Sequence, residues 1–268
     1  MSGFHAISGV VYLGSGWLLY ADPSLLFQWS ENVAPALVFG SAAQPATLAL
    51  REGGEVSAPV LLHASGVWSQ LAQRSAMAFL YVDPLSDRGV CLQRRALAHV
   101  VPWPDADLMP RHGMQLQALC QGEPQPDEVR HWVSAVLGEV TTGAADCVRL
   151  DPRLVRLRHR LHQHSEGRAD PAAMAAELGL SAEHVRKLFR QQVGMTLSSY
   201  QAWVRLYQVA VNACDAQRRG LPQSASELVS AGGFYDASHA TRAIRRYFDL
   251  LPTEMVAPRA FVDCRGEG

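Results

Sequence analysis

The sequence predicts an α+β multidomain chain: an N-terminal β-barrel with helices after it, then an all-α domain of two helix-turn-helix subdomains joined by a long helix. Three observations carry this. From Ile7 to about Val100, short segments rich in Val, Leu, Tyr, Phe and Trp alternate with Gly, Pro, Asp and Ser. Their spacing of roughly 8–12 residues is that of a small barrel or sandwich. From Asp105 onward, apolar residues recur at helical period. Between Asp170 and Met255, a helix–glycine–helix pattern occurs twice, its second helices starting 55 residues apart at Ser181 and Asp236.

The expected strands are Gly9–Tyr20, Leu25–Trp29, Ala36–Phe39, Ala46–Leu50, Pro59–Ala64, Trp68–Leu71 and Ala76–Val82. Two helices follow, Leu108–Cys120 and Asp127–Val140, parted by Gly122-Glu123-Pro124-Gln125-Pro126. In the second, Val129, Trp132, Val133, Val136, Leu137 and Val140 make one apolar stripe, which either covers the barrel or joins two copies of the chain through 127–140. Thr141–Asp146 is small and polar and reads as a linker. The division is therefore 1–145 and 146–260. Asp151-Pro152 starts a helix with Leu154, Leu157 and Leu161 inside and Arg153, Arg156 and Arg160 outside.

Asp170 caps the first helix of the first unit, with Pro171 at a position where a missing N–H costs nothing. Gly179 ends it and Ser181 caps the next helix. That helix has Val185, Leu188, Phe189 and Val193 inside and Glu183, Arg186, Lys187 and Arg190 outside. A long helix from Tyr200 to about Arg218 leads to the second unit. There Ser224 and Glu227 stand at capping-box spacing. Gly232-Gly233 turns the chain, and Asp236 caps a helix with Ala240, Ala243, Ile244, Tyr247 and Phe248 on one stripe. Its other face carries Ala237, Ser238, Thr241, Arg242 and Arg245. Small, hydrogen-bonding and guanidinium groups on an exposed second helix suit a major-groove reader of double-stranded DNA.

These residues resemble the DNA-binding domain of the AraC/XylS family of bacterial transcription regulators. The marks are Leu178-Gly179-Leu180-Ser181, His184, Leu188-Phe189, Gly194-Met195-Thr196, Tyr200, Arg205, Leu206 and Ala210. In the second half they are Ala231-x-Gly233-Phe234, Ser238-His239, Arg242, Tyr247-Phe248 and Pro252. The likeness spans about a third of the chain, from near Asp151 to Met255. Asp249 stands where the family usually has glycine, Met255 replaces an aromatic residue, and Ala240 and Ile244 replace bulkier core residues. The resemblance implies a cupin-like N-terminal domain that binds a small-molecule effector, promoter DNA as partner, and contact with RNA polymerase. By position, Glu183, Arg186 and Lys187 would read bases in the first unit and Ala237, Ser238, Thr241 and Arg242 in the second. Arg190, Arg245 and Arg246 would meet phosphates.

For the effector, the aromatic residues Trp17, Tyr20, Phe27, Trp29 and Trp68 are candidate wall residues, and each could equally fill the core. His63 is the one histidine near a strand cluster, with His5 and His99 remote, so no metal or other cofactor is expected. Residues 1–149 carry 8 Lys+Arg against 13 Asp+Glu, net −5, and residues 150–268 carry 16 against 12, net +4. An acidic sensor joined to a basic reader fits that asymmetry. Cys91, Cys120, Cys147, Cys214 and Cys264 are scattered without a C-x-x-C, as in a cytoplasmic protein with reduced thiols. No apolar run reaches the roughly 18 residues of a membrane span, so no membrane partner is expected. Nucleotide-loop, nucleophile-elbow and zinc-protease motifs are absent from the sequence, and the expectation is a protein that is not an enzyme. Two alternatives stay open: an N-terminal domain that meets a protein or a metal, and a cysteine-based transferase fused to a DNA-binding domain.

Overall fold

The structure, a computed structural model, describes residues 9–142, 150–163, 175–221, 224–255 and 260–266. Its β region is a nine-stranded sheet that curls into a nearly closed antiparallel barrel. The strands are β1 (Val10–Gly14), β2 (Trp17–Glu31), β3 (Ala36–Phe39), β4 (Ala46–Leu50), β5 (Glu55–Ala58), β6 (Val60–His63), β7 (Trp68–Val82), β8 (Val100–Pro102) and β9 (Ala260–Asp263). They run in the order β8-β6-β3-β7-β2-β1-β9, with β4 bonded to β5 and β7.

The expected strand breaks are only partly real. The chain turns at Ser15-Gly16, and everything from Trp17 to Glu31 is one strand. Trp68–Leu71 and Ala76–Val82 likewise merge into β7. The polar groups that read as breaks, Asp22-Pro23-Ser24 on β2 and Gln73-Arg74-Ser75 on β7, sit where the register between the two strands slips. Bulges there bend both strands, so one long hairpin serves two walls of the barrel. Proline is tolerated at such a slip because no ladder bond needs its missing N–H. A second departure is helix α1 (Asp87–Arg95), within the region expected to be all β; Ser86 Oγ caps it by accepting from Gly89 N at 3.0 Å.

Side chains alternate along the strands and divide the interior in two. One set, including Tyr12, Trp17, Leu37, Phe39 and Leu80, faces the helices after the barrel. The other, including Val11, Leu13, Val38, Phe79 and Tyr81, faces inward and continues into the C-terminal helices. The expected helix Leu108–Cys120 is two short ones, α2 (Leu108–Arg111) and α3 (Leu116–Gln121), because Gly113 between them takes φ +75°. Helix α4 (Pro126–Val140) buries its whole apolar stripe against the barrel, with the Trp132 ring 5.4 Å from Phe39. That stripe is occupied within one chain.

The C-terminal helices are α5 (Pro152–Gln163), α6 (Ala182–Val193), α7 (Leu197–Arg218), α8 (Ala225–Ala231), α9 (Ala237–Phe248) and α10 (Pro252–Met255). The expected cap Asp170-Pro171 and the linker beyond Thr142 lie outside the described residues. Helix α7 begins three residues before Tyr200, because Thr196 Oγ1 accepts from Ser199 N at 3.1 Å and caps it there. At 1.5 Å per residue its 22 residues span about 33 Å, close to one turn of B-DNA.

One apolar cluster runs unbroken from barrel to helices. Tyr81 lies 6.4 Å from Trp203 and 6.3 Å from Phe248 between ring centroids, and Tyr207 Oη donates to the Gly14 carbonyl at 2.6 Å. Last in sequence, β9 pairs in parallel with β1, setting Phe261 beside Val11. On the other side of Phe261, the Gln217 amide of α7 donates to its carbonyl at 2.8 Å and accepts from its N–H at 3.0 Å. The end of the chain thus ties the sheet to the helix joining the two units.

Candidate functional site: two recognition helices and an interdomain cleft

Each recognition helix is built as its sequence requires. Ser181 Oγ accepts from His184 N at 3.2 Å and Asp236 Oδ1 from His239 N at 2.6 Å, so both helices start on a side-chain cap. In α6, Val185, Phe189 and Val193 are buried, while Glu183, Arg186, Lys187 and Arg190 are exposed. In α9, Ala240, Ile244 and Tyr247 are buried, while Ala237, Ser238 and Arg242 are exposed and Thr241 is half-buried. The Thr241 hydroxyl donates to the Ala237 carbonyl at 2.7 Å, which leaves its oxygen as an acceptor. Between α8 and α9 the two glycines do different work. Gly233 takes φ +83°, whereas a Cβ on Gly232 would meet Val209 Cγ2 at 2.4 Å. The first is a conformational need and the second a matter of close approach to α7.

The two ends of α9 have different surroundings. Its first two turns carry Ala237, Ser238, Thr241 and Arg242. Its last turn is docked on β2: Arg246 Nε and Nη2 each lie 2.6 Å from Glu31 Oε2. Asp249 follows in the left-handed region at φ +55°, and its Oδ2 accepts from Gln28 N at 3.0 Å. Arg246, expected to meet a phosphate, is thus engaged by the barrel. Asp249 fills a position that favours glycine and gains a barrel contact that glycine cannot make.

Beside this contact lies a cleft of about 580 Å³. Phe27, Phe79 and Tyr81 line it from the barrel, and Val209, Tyr247 and Phe248 from the helices. Asp22, Arg74 and Arg245 add charge to the lining. Of the five aromatic residues expected around an effector, the structure brings Tyr20 and Phe27 to the cleft. Trp17 is buried on the opposite face of the sheet. Trp29 is exposed, and Trp68 is half-buried under the Arg51 guanidinium, 4.7 Å from its ring centroid. Arg245, expected to meet phosphate, is exposed and also borders the cleft.

Several lining residues escape a reading that looks for aromatics. Their sequence signal was a polar side chain inside an apolar strand: Asp22, Ser30, His63 and Ser69. Burial holds the His63 imidazole down at about 4, so the ring is neutral near pH 7. The described cysteines, Cys91, Cys120, Cys214 and Cys264, are buried. Burial pushes the Cys120 and Cys264 thiols up to about 12 and Cys214 to about 11, opposite to the shift a nucleophilic thiolate needs. No cluster of three metal-ligating side chains occurs among the described residues, and none of their helices is long and apolar enough to cross a membrane.

Residues 174–257 match the family model of the helix-turn-helix domain. This part of the chain is a helix-turn-helix domain, in agreement with the AraC/XylS resemblance of its sequence. The whole fold, barrel and helices together, is similar to that of ToxT from Vibrio cholerae. An apo variant of ToxT superposes with a TM-score of 0.55 at 11% identity, covering 91% of this chain and 98% of that one. A second ToxT structure gives 0.52 at 12% identity, over 94% and 97%. A third, of ToxT bound to an unsaturated fatty acid, gives 0.51 at 10% identity, over 94% and 93%. No curated protein sequence matches the chain.

Proposed function

We propose that this protein is a DNA-binding transcription regulator controlled by an amphipathic small molecule bound in the interdomain cleft. The observation that carries the reading is that the walls of the cleft come from both the barrel and the second helix-turn-helix unit. A ligand there contacts both domains and favours the arrangement in which they are docked, in proportion to its differential affinity for that state. In the docked state Arg246 is held by Glu31 and Arg245 lines the cleft. Arg246 is then engaged by Glu31 rather than by phosphate, so bound ligand weakens DNA binding. The lining is mostly apolar, with Arg74 and Arg245 set among Asp22, Asp249 and Glu254; an aliphatic acid held at an arginine suits it, and the fatty acid bound by ToxT, which shares the fold, supports that class. Base reading is assigned to Glu183, Arg186, Lys187, Ala237, Ser238, Thr241 and Arg242, whose positions on the two capped helices support it.

The reading predicts a thermal shift of the full chain with medium- and long-chain fatty acids. At 100 times its dissociation constant such a ligand adds about 2.7 kcal/mol to the stability of the state that binds it. A blank across saturated and unsaturated acids would contradict the assignment and turn attention to a protein partner. Against that second reading, the exposed large apolar side chains of the described barrel region are Trp29 on β2 and Leu97 in the turn between α1 and β8, 68 residues apart in sequence.

A further inference from the structure

One end of the cleft is polar in a specific way. Ser30, Asn32, His63 and Ser69 all line it, and they are only 6%, 7%, 1% and 2% exposed. Ser30 and Ser69 are opposite each other in the β2–β7 register. No cationic side chain belongs to this group.

Hydrogen-bond accounting fixes what the group offers. His63 Nδ1 lies 3.0 Å from the Ala64 carbonyl, which can only accept, so Nδ1 carries the proton. The buried ring is neutral, so Nε2 is a lone pair. Ser69 Oγ lies 2.9 Å from Nε2 and must therefore donate to it. Ser69 has only acceptor capacity left. Asn32 Nδ2 directs its hydrogens to the carbonyls of Ala34, His63 and Ala64 at 2.7, 3.0 and 3.1 Å. The Ser30 hydroxyl rotates to donate or accept. A partner for this end must donate to Ser69 and can accept from Ser30. A hydroxyl does both. A carboxylate, which only accepts, would set its charge against the lone pairs of Ser69.

We propose that the cleft selects a hydroxylated ligand, with the hydroxyl seated between Ser69 and Ser30 and the acid end toward Arg74. This rests on the reading of the cleft as the effector site. Arg74 and Ser69 are five residues apart on β7, at most about 16 Å along an extended strand, which matches a dodecanoic chain.

The test uses the full chain and two probes, lauric acid and 12-hydroxylauric acid, with binding measured by titration calorimetry. The hydroxy acid is expected to bind about five- to tenfold more tightly, the gain of one net hydrogen bond. Ser69→Ala is expected to remove that preference while leaving the affinity for lauric acid within about twofold. Equal affinities in the unaltered chain overturn the proposal, whether or not the variant folds. A preference that survives Ser69→Ala also overturns it. If neither acid binds, the effector reading of the cleft fails, and the hydroxyl subsite with it. Binding of both acids without discrimination leaves the cleft standing and removes the subsite alone.

Discussion

At the scale of single residues, position on α9 separates two jobs. Arg242 is exposed on the part of the helix that carries Ser238 and Thr241, whereas Arg246 is bound by Glu31. Arg242→Ala should weaken binding to the cognate DNA by about 1–3 kcal/mol and relax discrimination at one base pair. A uniform loss on all sequences in a competition assay would instead make Arg242 a phosphate contact. His63 gives a prediction of a different kind. Its folded value of about 4 lies below the ordinary 6.5, so between these values the unfolded chain binds a proton that the folded chain does not. The stabilisation is therefore complete above pH 6.5 and lost as pH falls toward 4, at most about 3 kcal/mol. Urea midpoints for the unaltered chain should fall more steeply over this window than those of His63→Gln, since both share every other titrating group. Parallel curves would mean that the ring is not buried as described.

At the scale of elements, much was legible in the sequence because the signals are local. The caps at Ser181 and Asp236, the glycines between α8 and α9, and the apolar stripe of α9 each lie within a few residues of what they determine. What was not legible depends on distant partners. The breaks at Asp22-Pro23-Ser24 and Gln73-Arg74-Ser75 look like strand ends one at a time; paired across β2 and β7, they are bulges. The stripe of α4 has the same pattern whether it meets a barrel or a second chain, and Phe39 decides for the barrel. The four residues of β9 carry no strand signal long enough to stand out, and their place is set by β1 and Gln217. The cleft itself belongs to no single segment. Gln217→Ala removes both bonds to the Phe261 backbone. It should raise hydrogen exchange at the Phe261 amide about tenfold or more while leaving the β1–β2 hairpin protected. Unchanged exchange at Phe261 would show that β1 alone holds the strand.

At the scale of the whole molecule, the proposed DNA reading and the proposed ligand sensing share helix α9. The first two turns of α9 are exposed and carry the proposed base readers, its last turn closes on the barrel, and the cleft lies beside that closure. A continuous apolar core, the β9 tie and the Arg246–Glu31 pair all favour the docked arrangement. A ligand that reaches both domains shifts the balance between docked and DNA-bound states by its differential affinity, and a tenfold change needs only about 1.4 kcal/mol. The most direct test is the affinity of the full chain for a duplex selected by that chain from random DNA, measured by fluorescence anisotropy with and without saturating 12-hydroxylauric acid at fixed salt. The account predicts a dissociation constant about tenfold higher with the acid bound. An unchanged constant, with calorimetry showing the acid in place, would contradict it.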